Sequence, residues 1–219
     1  MDAKGIAEGF KRINMMAVKA VGENKYEEAI AIFKEGLALE EKLGLVNQMA
    51  ESYANIGNAY FSAGELDEAL NYLTKAQEQF KKAGKTDGVV TVSINASTIL
   101  ELKEDGAGAL KQLNDSLRIV RDGGKRGTLQ FRIAYLHQRA GRQYQAQEAY
   151  GRALMEFERL NRSEDVLYCL MARASMFMQI NQKIPAERDI ARAKSMARAD
   201  AKLAARLADA AAELGINMN

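Results

Sequence analysis

Residues 50–82 read AESYANIGNAYFSAGELDEALNYLTKAQEQFKK, and this stretch decides the fold. Two segments with apolar residues at helical spacing flank a short break at Ser62-Ala63-Gly64-Glu65, which predicts two helices joined by a tight turn. Asp67 and Glu68 open the second segment, where carboxylates suit the positive end of a helix dipole. The pattern recurs along the chain. Alignment on Ala69 brings Ala29, Ala109, Ala146 and Ala186 into register, at spacings of 40, 40, 37 and 40 residues.

Other columns agree. Four residues after each alanine stand Phe33, Leu73, Leu113, Tyr150 and Ile190, and three further on stand Gly36, Ala76, Ser116, Ala153 and Ala193. Twelve residues before it stand Ala17, Gly57, Ser97, Ala134 and Ala174, and five before it Asn24, Gly64, Glu104, Gly141 and Asn181. Small residues let two helix backbones approach, and the large one fills the space beside them. Gly or Asn at the break can take positive φ and end the first helix. Pro185 falls near the start of a second helix, where proline is tolerated.

These columns resemble the tetratricopeptide repeat (TPR) family, whose pattern appears in the second repeat as Tyr53, Ile56-Gly57, Tyr60, Ala69, Leu73 and Ala76. Repeat three is the poorest match: Ser93, Ala96-Ser97 and Leu100 replace the expected residues, and Gly106 and Gly108 loosen its second helix. The family's usual unit is about 34 residues and closes on a proline. Here that column holds Glu41, Lys81, Arg121, Glu158 and Arg198, so each second helix can run on. This long variety is similar to that of kinesin light chains, partner-of-inscuteable-type adaptors and bacterial peptide-sensing regulators.

The expected fold is all-α, a right-handed α-solenoid forming a single domain over residues 1–219. Its helix pairs fall at about 4–43, 46–84, 87–121, 126–161 and 164–197, with a capping helix over 199–214. Terminal repeats need such a cap because their outer face has no neighbour.

Composition agrees and narrows function. Hydrophobic residues make up 47% of the 219, enough for a core, and a single proline argues against a β protein rich in Gly/Pro turns. One cysteine (Cys169) excludes an internal disulfide or a multi-Cys zinc site, and one histidine (His137) excludes a His-rich metal centre. No run of 18 apolar residues and no hydrophobic leader is present, so a cytoplasmic protein without membrane insertion is expected. His137 falls in a packing column, Cys169 sits among Leu167, Tyr168 and Leu170, and the carboxylates fall on solvent-facing positions. Gly123 to Gly127 reads as a basic turn between repeats, since no strand precedes it. No enzyme, cofactor or metal site is expected.

The resemblance implies binding instead. In TPR proteins the first helix of each pair lines a concave groove, which here places Asn55, Asn58 and Asn95 in a row resembling an asparagine ladder that grips an extended peptide. An amide offers both donor and acceptor, so it pairs with a peptide backbone whatever its sequence. Repeat four adds Phe131, Arg132, Tyr135 and Arg139, and a guanidinium fork suits a carboxylate. A basic patch of Arg118, Arg121, Lys125, Arg126 and Arg142 accompanies them, opposed within 116–147 by Asp122 alone. It reads either as solvated surface or as part of a site for an acidic partner, with nucleic acid disfavoured because the net charge is only +2.

The charge is unevenly spread. Residues 1–115 hold 13 Lys/Arg and 18 Asp/Glu, and residues 116–219 hold 18 and 11, giving −5 and +7. That asymmetry supports an alternative in which copies assemble head to tail as a scaffold, a homo-oligomer.

Overall fold

The computed structural model describes residues 3–198 and 200–217, with side chains from residue 8 onward. Eleven helices and no strand occur among the described residues: α1 (Ala3–Gly22), α2 (Tyr26–Leu43), α3 (Val46–Ser62), α4 (Leu66–Lys82), α5 (Thr86–Leu102), α6 (Gly106–Ile119), α7 (Gly123–Arg139), α8 (Gln143–Arg159), α9 (Ser163–Gln179), α10 (Lys183–Ala197) and α11 (Ala201–Glu213). They form the α-solenoid of five helix pairs and a final helix that the repeat columns predict. The chain divides into two compact units, Met1–Ile119 and Val120–Asn219. Ala199, where the capping helix was expected to start, lies outside the described residues, as do residues 1, 2, 218 and 219.

The break column explains why the pairs look alike. Asn24, Gly64, Glu104, Gly141 and Asn181 all take left-handed backbone, with φ of 58°, 84°, 61°, 69° and 58°. In each turn two amides reach back into the first helix, as Gly64 N–H does to Phe61 (3.0 Å) and Glu65 N–H to Tyr60 (2.9 Å). The same pair of bonds recurs in the other four turns, and it satisfies carbonyls that the helix end would leave open. The residue after the turn then accepts from the anchor alanine: Lys25 from Ala29, Glu65 from Ala69, Asp105 from Ala109, Arg142 from Ala146 and Gln182 from Ala186. One turn geometry thus sets all five pairings.

The small columns are buried because the helices meet there. Ala29, Ala69, Ala109, Ala146 and Ala186 are sealed from solvent, as are Ala17, Ser97, Ala134 and Ala174. A Cβ on Gly57 would lie 2.9 Å from Leu73 Cγ and 3.1 Å from the Ala69 carbonyl, so α3 approaches α4 at a distance only glycine permits. Leu73, Phe80, Val89 and Ile99 continue this core in the first unit. In the second, Leu129, Tyr150, Leu167, Leu170, Met171 and Met176 are fully buried. Ile190, last of the large column, is half-buried.

Two features depart from the sequence reading. Gly123 to Gly127 is not a turn but the first part of α7, because the Asp122 carboxylate caps the helix by accepting from Lys125 N–H at 2.7 Å. The glycines serve packing: a Cβ on Gly127 would lie 2.6 Å from the Phe157 ring. Repeat three forms despite its poor match, with α6 the shorter at 14 residues. Its buried Ser93 hydroxyl accepts from Gln77 Nε2 at 2.7 Å, so the polar substitution is satisfied.

Candidate functional site

In the first unit, the first helices of successive pairs present side-chain amides to each other. Asn55 Nδ2 on α3 donates to Asn14 Oδ1 on α1 at 3.2 Å, and Asn95 Nδ2 on α5 donates to Asn58 Oδ1 on α3 at 2.9 Å. The three asparagines expected to grip a ligand therefore share one face, joined by Asn14, which the column reading passed over. Each bond uses one of an amide's two N–H groups or one carbonyl lone pair, leaving capacity on every member. The second unit repeats the device, since Gln138 on α7 donates to Gln179 on α9 at 3.0 Å.

The residues expected from repeat four sit on α7. Phe131 packs against Tyr150 and Tyr168, each with ring centroids 5.6 Å away, and Tyr135 is exposed. Arg132 is half-buried and Arg139 exposed. Phe131 also walls a cavity of about 310 Å³ with Tyr168, Leu167 and, from α11, Ala210 and Glu213. α11 closes one side of it, held by Lys202 to Glu164 at 2.5 Å and by the Tyr168 hydroxyl donating to Glu213 at 3.1 Å. Asp165 and Asp209 also line it, beside Arg206, and Asp165 pairs with Arg162 at 2.7 Å.

The basic patch is partly neutralised within each unit. Arg118 pairs with Asp115 at 3.3 Å, and Arg126 meets Glu156 at 3.5 Å while donating to the Val120 carbonyl at 3.0 Å. Arg121, Arg139 and Arg142 are exposed, and Lys125 is half-buried.

Two buried carboxylates correct the expectation that all of them face solvent. Asp189 is 4% exposed and takes a bidentate fork from Arg173, Nε to Oδ2 and Nη2 to Oδ1, both 2.7 Å. Burial alone would lower the Arg173 pKa, but the bonds and charge of Asp189 outweigh it and raise it. Glu40 is 5% exposed, and burial holds its carboxyl above the usual range against a bond from Ser52. Among the other titratable groups, burial pushes the Tyr53 phenol up to about 12, with its bond to Glu41 adding to the shift. The Cys169 thiol is buried and pushed upward, as a structural cysteine's is, and burial and Arg142 together lower the half-buried His137. No three of His, Cys, Asp or Glu cluster as metal ligands among the described residues. No helix among them is long and apolar enough to cross a membrane.

Comparison with known proteins fits this geometry. Residues 48–122 match the family model of the tetratricopeptide repeat. That stretch carries the tetratricopeptide repeat pattern. The fold of the chain is similar to that of BtubC (BKLC) from P. vanneervenii, at a TM-score of 0.80 and 18% identity over 90% of this chain and 83% of that one. It is also similar to the nearly identical TPR-like repeats of a Podosopora anserina kinesin light chain, at a TM-score of 0.70 and 15% identity over 88% and 96%. A third likeness is to the Rap conjugation gene regulator of plasmid pLS20 in complex with the Phr* peptide, at a TM-score of 0.62 and 19% identity over 94% of this chain and 60% of that one. No curated protein matches the sequence.

Proposed function

We propose that this TPR chain is a non-catalytic interaction module, a cytoplasmic adaptor that holds a peptide segment of a partner protein along the amide-bearing faces of its first helices. The observation that carries this reading is the amide row of Asn14, Asn55, Asn58 and Asn95. Pairing fixes the orientation of these groups before a ligand arrives, so less side-chain entropy is lost on binding. Their unused donors and acceptors match a peptide backbone. The Phr* peptide in the similar Rap structure supports peptide recognition on this fold.

For the second unit, taken by itself, we propose that Arg132, Tyr135 and Arg139 on α7 receive an acidic side chain. Calorimetry with acidic and neutral peptides of equal length, on wild type and on Asn55→Ala/Asn95→Ala, tests the grip. Loss of about tenfold in affinity for both peptides is expected, since two hydrogen bonds are removed. Unchanged affinity removes the amide mechanism, and equal affinity of Arg132→Glu for the two peptides removes the acidic preference.

A second reading, a head-to-tail scaffold, is favoured by the charges of −5 and +7 on residues 1–115 and 116–219. Light scattering across a salt series separates it: mass that falls as salt rises supports charge-driven assembly, and a salt-insensitive monomer excludes it.

A further inference from the structure

Within the first unit, α1, α2 and α3 enclose a cavity of about 190 Å³, room for roughly six waters. Its polar wall is Glu40 with Ser52, Asn14 and Asn55, and its apolar wall includes Phe33 and Ile13. Glu40 is 95% buried by the complement of its 5% exposure, and its two oxygens differ. Oε1 accepts from the Ser52 hydroxyl at 3.0 Å, whereas Oε2 is buried without a hydrogen-bond partner. A buried acceptor left open costs on the order of 1–3 kcal/mol, and more when charged.

The surroundings sharpen what is missing. Glu51, which lines the same cavity from α3, and Glu41 both raise the Glu40 pKa further. Lys11 lines it from α1 but is exposed, and no ion pair joins it to Glu40 among the described residues. The cavity thus combines a Glu40 oxygen without a hydrogen-bond partner and an apolar wall for a hydrocarbon stem, while Glu51 is already paired with Lys85 at 3.3 Å. A lysine or arginine side chain has those complements in one group: a cationic donor head on a stem that packs against apolar surface.

We propose that this cavity is a subsite for a cationic side chain of a bound segment, with Glu40 as its counter-charge. The segment as source of the cation rests on the proposed function, whereas the chemistry of the cavity stands without it. Glu40 supplies charge-assisted hydrogen bonding that the amide row cannot, so the first unit selects a basic residue where the amides read only backbone.

Small probes test the cavity apart from any peptide. Butylammonium and butylguanidinium are titrated into the protein while the Glu40 carboxyl carbon is followed by NMR, with butanol and butyrate as neutral and anionic controls. Saturable, salt-weakened shifts with either cation are expected, and the cation that saturates first identifies lysine or arginine. Backbone amide shifts around the cavity give the same readout in Glu40→Gln, where apparent affinity falls about tenfold or more. No saturable response in wild type, a response equal to that of butanol, or an undiminished response in a folded Glu40→Gln overturns the subsite. A cavity that responds while Asn55→Ala/Asn95→Ala leaves peptide affinity unchanged retires the amide grip alone.

Discussion

The fork between Arg173 and Asp189 offers a severe test of the repeat register, because the same two columns hold apolar residues in repeat four. Forty residues earlier, the corresponding pair in repeat four is Ile133 and Ala149, both buried. Replacing Arg173 by isoleucine strips Asp189, only 4% exposed, of both its 2.7 Å bonds. Breaking a buried pair from one side costs about 3–5 kcal/mol, because the remaining charge is buried without compensation. Replacing both partners removes the charge along with its partner. Arg173→Ile/Asp189→Ala therefore recreates the repeat-four contact and is expected within about 1 kcal/mol of wild type. The non-additivity is thus at least about 2 kcal/mol, well above the few tenths expected for independent sites. Urea unfolding by far-UV circular dichroism on wild type, both single variants and the double measures it. A double variant as unstable as Arg173→Ile refutes the argument, since the columns would then not be interchangeable.

Further predictions follow from single positions. Glu104 is the one break-column residue that is neither Gly nor Asn, at φ 61°, so Glu104→Gly is expected to raise stability by about 1 kcal/mol in urea unfolding. Gly57→Ala, whose Cβ meets Leu73 at 2.9 Å, is expected to lose about 1–3 kcal/mol in the same assay. Glu40 has a folded pKa above its unfolded one, so between those values the native state binds more protons and stability falls as pH rises. Thermal melts across that window are expected to show the fall in wild type and to show it reduced in Glu40→Gln. Finally, residues 1–219 are proposed to unfold as one cooperative domain, and two separated transitions in calorimetry would instead assign independent stability to the units ending and starting at 119 and 120.

The helices were legible in the sequence because their determinants are local or periodic. Asn24, Gly64 and Asn181 announce positive φ by residue type, and the alanine column announces close packing by its spacing. Glu104 was legible only through the alignment, since nothing about glutamate favours that backbone. What escaped depends on side chains far apart in the chain. The Arg173 fork reads as two ordinary surface charges until the pair of helices folds, and the Asn14 to Asn55 bond spans 41 positions. Gly123 and Gly124 were misread because an Asp122 cap outweighs the turn tendency of two glycines.

The placement of charge constrains the ligand more than the net balance does. An acidic partner was inferred from the basic segment 116–147, yet Arg118 and Arg126 already meet Asp115 and Glu156. Ion pairs at exposed positions contribute little to stability, so a ligand's carboxylates can displace them at small cost. The reverse holds at the first unit's cavity, where the buried Glu40 is set beside an apolar wall. There the surrounding protein screens charge less than water does, and the carboxylate acts more strongly on what enters. We propose on these grounds that the first unit takes a segment whose basic residue is seated beside Glu40. A peptide carrying only acidic residues would leave Glu40 open, so it is expected to bind more weakly than one with a single added lysine or arginine at the matching position.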